Sequence, residues 1–95
     1  QDIPFIFGDY INKNFFELKD IIDNTSFDYK EIKNLFFFKS GRWDIETNNG
    51  ILIKLPKNNL KESLELLIDF LSKNHTSSIN KIDLRQRNQI IVNGK

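Results

Sequence analysis

The sequence predicts an α+β fold, a mostly antiparallel sheet with two main amphipathic helices packed on it, and three observations lead there. Residues 43–55 alternate apolar and polar side chains on either side of Asn49-Gly50, as a β-hairpin does. Two longer stretches, Ile11 to Ile22 and Leu60 to Leu71, repeat apolar residues at helical spacing. The signals also come in the order strand, helix, strands and hairpin, helix, strands, which lacks the regular strand–helix alternation of a parallel α/β sheet.

Taken in order, Ile3-Pro4-Phe5-Ile6-Phe7 reads as an edge strand, because Pro4 has no amide proton for a ladder, and Gly8-Asp9 closes it. Asn14 followed by Glu17 has the spacing of a capping box. Ile11, Phe15, Leu18 and Ile22 fall on one helical face, and Asp23 to Ser26 end the helix. From Phe27 to Phe38 two alternating sets compete, with a helical turn near Lys30 to Lys33. Leu35-Phe36-Phe37-Phe38 is apolar on both faces and predicts a central strand covered on both sides. Lys39-Ser40-Gly41 is a bend or bulge leading into the Trp43 strand.

In the hairpin, Trp43, Ile45 and Thr47 share one face, and so do Ile51, Ile53 and Leu55. Asn49-Gly50 suits the positive φ angles of a tight turn, and Pro56 stops the second strand. Asn59 and Glu62 repeat the cap spacing ahead of Leu60, Leu64, Leu67, Ile68 and Leu71, with Leu66 and Phe70 widening that stripe. Asn74 to Ser78 is a loop, Ile82 to Arg85 a strand, Gln86 to Gln89 a polar bend, and Ile90-Ile91-Val92 a last β-rich segment.

Ninety-five residues suit one domain, residues 1–95, with one core. A net charge of +1 and a pI near 8.2 lack the basic face of a nucleic-acid-binding domain, so no nucleic acid is expected as a partner. The absence of cysteine excludes disulfides, thiolate metal sites and cysteine nucleophiles. The chain opens directly on a strand-like run, which reads as a domain cut from a longer protein.

No motif points to catalysis. His75 is the only histidine and sits in a polar loop, so it lacks the companions of a metal cluster or a triad. The carboxylate pairs Asp20/Asp23, Asp44/Glu46 and Glu62/Glu65 read as solvated surface, whereas acid–base work needs a concave site that shifts pKa values. The four glycines form no phosphate loop. The expectation is a non-enzyme with no cofactor and no metal. Arg85 and Arg87 admit two readings on physical grounds. They guard a sheet edge against unwanted pairing, or they rim an edge that accepts a partner's strand and grip its acidic side chains.

Arg42-Trp43-Asp44, Asn49-Gly50-Ile51, Lys54-Leu55-Pro56, the leucine-rich helix and Ile82-Asp83-Leu84-Arg85 occur in one order. Together with Ile3-Pro4 and Gly8 they resemble the carboxy-terminal periplasmic β domain of the FtsQ/DivIB bacterial cell-division proteins, in its alphaproteobacterial style, over roughly Ile3 to Val92. The resemblance implies a non-catalytic divisome scaffold in a single-pass inner-membrane protein. Membrane attachment would come only through a preceding segment that carries the transmembrane helix and a POTRA domain. It implies FtsB/DivIC-like and FtsL-like coiled-coil partners during septum formation, the FtsB-like one adding a strand to the last strand of the domain.

By position, Arg85 would then meet a partner carboxylate, and Gln86 to Val92 would form the receiving edge. The candidate partner-binding residues are Arg85, Gln86, Arg87, Asn88, Ile90, Ile91 and Val92. The chain departs from some relatives in having Gln86 where they place a tyrosine, and in ending Val92-Asn93-Gly94-Lys95 without a tryptophan. Alternation puts Arg42 on the opposite sheet face from Trp43 and leaves open whether it meets the partner. The alternative is a POTRA-like α+β module that binds a client polypeptide, whose sheet would have three strands.

Overall fold

The computed structural model describes residues 5–7, 11–87 and 89–94. One row of residues runs in register across a six-stranded sheet, and its four middle members, Leu35, Ile45, Ile53 and Ile82, lie in the core. Ile6, Leu35, Ile45, Ile53, Ile82 and Val92 stand side by side on β1 (Phe5–Phe7), β2 (Ile32–Phe37), β3 (Trp43–Thr47), β4 (Leu52–Lys54), β5 (Ile79–Asp83) and β6 (Ile91–Gly94). The strands lie in sequence order. Three neighbouring pairs are antiparallel, and β1–β2 and β4–β5 are parallel. The fold class is thus α+β with a mostly antiparallel sheet, and its six strands exceed the three of a POTRA-like unit.

Each parallel pair is bridged by a helix, because a parallel return needs a crossover. Helix α1 (Ile11–Asp23) and helix α2 (Leu60–Lys73) touch each other. They bury Leu18, Ile22, Leu64 and Leu67 in one cluster with Leu35, Ile45, Ile53 and Ile82, so both helices cover the same face of the sheet. Each such side chain taken out of water contributes about 1.5–3 kcal/mol. Trp43 is buried at the end of this face and packs against Phe37 at a tilt, ring centroids 4.8 Å apart.

Several boundaries differ from the sequence expectation. Asn14 does not cap α1, which already begins at Ile11. The apolar stripe that includes Ile11 required those extra residues. Asn59 does hold the N-cap position of α2, but in a left-handed conformation (φ 62°) with no side-chain cap bond, so the capping box anticipated with Glu62 is not formed. Gly8-Asp9 and Pro4 lie outside the described residues.

The ambiguous segment resolves into a 3₁₀ turn at Tyr29–Glu31, capped by the Asp28 carboxylate, followed by β2. β2 is internal but is not covered on both faces. Phe36 is half-buried, and Phe38, just beyond the strand, is exposed on the side away from the helices. Residues 38–42 form a hairpin turn with Gly41 at φ +90°.

The second hairpin closes as a three-residue loop. The Gly50 N–H donates to the Thr47 carbonyl (3.0 Å), and only Gly50 takes a positive φ (+87°) while Asn49 does not. The tight hairpin turn expected at Asn49-Gly50 is present, but the positive φ expected there falls on Gly50 alone.

Candidate functional site

The sheet face away from the helices carries a line of alternating charge. Asp44, Lys54 and Asp83 are directly opposite one another on β3, β4 and β5. Arg42 donates to Asp44 at one end, and Arg85 grips Asp83 at the other. The spacing follows from strand geometry, since residues two apart in an extended chain share a face. Arg-x-Asp at the start of β3 and Asp-x-Arg at the end of β5 therefore close two ion pairs between residues two apart in the chain.

Arg42 also lies over the Phe38 ring, 4.7 Å from its centroid, and shields Asp44 almost completely from solvent. That corrects the reading of Asp44/Glu46 as solvated. Asp44 is buried beneath an arginine, and Glu46 accepts a hydrogen bond from the Asn34 side-chain amide of the neighbouring strand. Among the described residues no buried side-chain polar atom lacks a partner, and no group of three or more His, Cys, Asp or Glu side chains could hold a metal ion. His75 is exposed in its loop.

Arg85 sits just past β5. Its Nε donates to both Asp83 oxygens (3.0 and 3.1 Å), its Nη2 to Oδ2 (2.6 Å), and its backbone N–H to Oδ1 (2.9 Å). The guanidinium beside it holds the Asp83 carboxyl below the usual carboxylate range, with the backbone N–H and Lys54 acting in the same direction, and Asp83 in turn raises Arg85. The Asp83 side chain thus captures the backbone two residues on, an Asx-type turn that ends the strand.

For this reason β5 stops at Asp83, short of the expected Arg85. At its other end it starts at Ile79, earlier than Ile82. An irregularity between Ile79 and Lys81 turns both Ile79 and Ile82 inward and breaks the period-2 pattern. The same kind of shift between Ile32 and Asn34 puts Ile32 and Leu35 together in the core of β2.

The predicted partner-binding residues divide between a turn and a strand. Gln86 and Arg87 are exposed in the connection, where the Gln89 N–H donates to the Gln86 carbonyl (3.2 Å), and Ile90 packs against the core. Asn88 lies outside the described residues. The receiving segment expected over Gln86 to Val92 is a strand only from Ile91, and it runs on to Gly94.

Strand β6 is the last in the sheet. It pairs with β5, and among the described residues no strand lies on its other side. All four of its residues are exposed, Ile91 at 43% and Val92 at 37%. The sequence reading missed Asp44, Lys54 and Asp83 as neighbours of the arginines. The mirrored Arg-x-Asp and Asp-x-Arg spacing was the signal that could have found them.

Together these features define a class: a mixed-sheet α+β domain with one face covered by helices, a charged opposite face, and a neutral terminal strand bordered by protein on one side. The chain belongs to the FtsQ/DivIB cell-division family, matching over residues 6–85 the family described as "Cell division protein FtsQ/DivIB, C-terminal". It is similar to the "Cell division protein FtsQ" of Rhizobium radiobacter, 41% identical over 46 residues, which is 46% of this chain and 22% of that protein. It is likewise similar to the "Cell division protein FtsQ" of Agrobacterium fabrum, 41% identical over 46 residues, 46% of this chain and 14% of that protein. The matched stretch spans less than a quarter of either relative. Among the described residues no helix is long and apolar enough to cross a membrane.

Proposed function

We propose that this chain is the non-catalytic, partner-binding domain of a divisome scaffold, and that FtsB/DivIC-like and FtsL-like proteins assemble on it by adding a strand to β6 during septum formation. In this reading it works on the periplasmic side of the inner membrane as part of a single-pass protein. The observation that carries the reading is the border position of β6: among the described residues no strand pairs with its outer side, and a border strand presents backbone N–H and C=O groups to an incoming chain. An extended peptide satisfies them with main-chain hydrogen bonds, which supply affinity without demanding particular side chains.

Many natural edge strands carry a lysine, a proline or an inward charge to prevent such pairing. Ile91-Val92-Asn93-Gly94 has none of these. Arg85 stands beside the start of this edge, since Asp83, which holds it, is paired with Ile91. Its fork has five N–H donors. Nε and one Nη2 hydrogen are committed to Asp83, and the remaining donors are free to meet a partner carboxylate from an arginine already fixed in place. Fixing the side chain beforehand lowers the ordering entropy that binding would otherwise cost.

The test is binding of an FtsB-like partner to Arg85→Ala and Ile91→Pro variants whose circular-dichroism spectra match the parent. Arg85→Ala should weaken binding by roughly tenfold to a hundredfold, the range of a hydrogen bond to a charged group. Ile91→Pro should weaken it at least as much by breaking the strand. Unaltered affinity in both variants overturns the proposal.

A further inference from the structure

We infer that the cleft at the carboxyl ends of β4 and β5 holds an acidic stretch of the chain that pairs with β6, and so sets the register of that pairing. The identity of the occupant rests on the strand-addition reading; the cleft and its charge do not. A cavity of about 560 Å³ lies between the β4–α2 connection, the first turn of α2 and the segment after β5. Pro56, Leu66 and Leu84 give it an apolar floor, and Lys57, Arg85 and Arg87 stand around it against the single carboxylate of Glu62.

Three cations at one cleft are a local concentration in a chain whose net charge is only +1. Arg85 is already engaged by Asp83, whereas Lys57 and Arg87 are exposed and form no ion pair with a described carboxylate. The complement of this site is a carboxylate-bearing side chain on a partly apolar segment.

Its position ties it to β6. The cleft opens where β5 hands over to β6, because Asp83 is opposite Ile91 and residues 84–90 connect the two strands. A strand added to β6 lies about 4.8 Å further out, and one of its ends leaves the sheet at the end where the β5–β6 connection carrying Arg87 enters β6. Residues flanking that end emerge at the same end of the sheet as the cleft.

This answers a difficulty in pairing with so short and neutral an edge. Main-chain bonds alone barely distinguish one register from a slip of two residues, which leaves the same side chains on the same face. A carboxylate held between Lys57 and Arg87 fixes one end and removes that degeneracy.

The experiment is a titration of the ¹⁵N-labelled chain at low salt with an end-blocked tetraglutamate peptide, with end-blocked tetralysine as the control. Tetraglutamate should shift the amides of Lys57, Asn59, Ser63 and Arg87 in a saturable way, and tetralysine should not. A Lys57→Ala/Arg87→Ala double variant should bind about threefold or more weakly, and Glu62→Gln should bind more tightly, as exposed ion pairs allow. Shifts confined to Arg42 and Asp44 on the open sheet face, or equal affinity in the double variant, overturn the inference. The peptide has no strand-forming segment, so this result is separate from any failure of strand addition, which the Ile91→Pro measurement reads.

Discussion

The most informative residue is Asp83, which does two things with one carboxylate. It ends β5 by taking the Arg85 backbone N–H, and it orients the Arg85 guanidinium on the open face. Its folded pKa lies below the ordinary carboxylate value because Arg85, and more weakly Lys54, favour the charged form. A group depressed in this way stabilises the fold fully above its unfolded pKa, about 3.9, and the contribution is lost as pH falls through the lower folded value. A carboxyl-detected NMR titration should therefore find Asp83 ionising below the usual range, and Arg85→Ala should move it back up. An ordinary titration in the parent chain, or no change in the variant, would refute the assignment. Lys54 takes part only because β4 and β5 are parallel neighbours, which no spacing in the sequence announces.

At the scale of elements, the hairpins and helices were legible because their periodicity is strong, and the boundaries were not because local rules competed. Asn59 illustrates the competition. Its place before Leu60 and three residues ahead of Glu62 matches a capping box, yet the chain arrives from Pro56-Lys57-Asn58 in a direction that demands a left-handed residue, and asparagine serves that backbone need instead. At Ile32 and Ile79 a register shift hides the alternation that reveals a strand elsewhere. The β3–β4 turn tests the same point. Nothing lies within 4 Å of a Cβ built on Gly50, so Gly50→Ala should suffer only from its positive φ, a cost of roughly 1–2 kcal/mol. Gly50→Asn should cost less, since asparagine tolerates that region. Equal losses for alanine and asparagine in chemical denaturation would mean that packing, and not the dihedral angle, governs the turn.

For the whole molecule, the fold class was readable and the strand order was not. The sequence carries the signals for two helices and several strands. Nothing in it states that both helices lie on one face, or that β1 and β6 are the two borders of the sheet. The candidate segment divides between two elements: Ile91 and Val92 lie on the border strand, whereas Gln86 and Arg87 belong to the turn before it. The difference follows from Asp83 drawing the chain out of the sheet two residues early.

The central claim is that β6 keeps one side open for another chain, and hydrogen exchange at Gln89 to Gly94 tests it most directly, measured on the free protein and in complex with an FtsB-like partner. The account predicts that the outward-facing amides of this segment exchange rapidly in the free protein, while those bonded to β5 are protected, and that the partner slows the outward set selectively. Outward amides already protected in the free chain, or left fast in a complex that demonstrably forms, would contradict it.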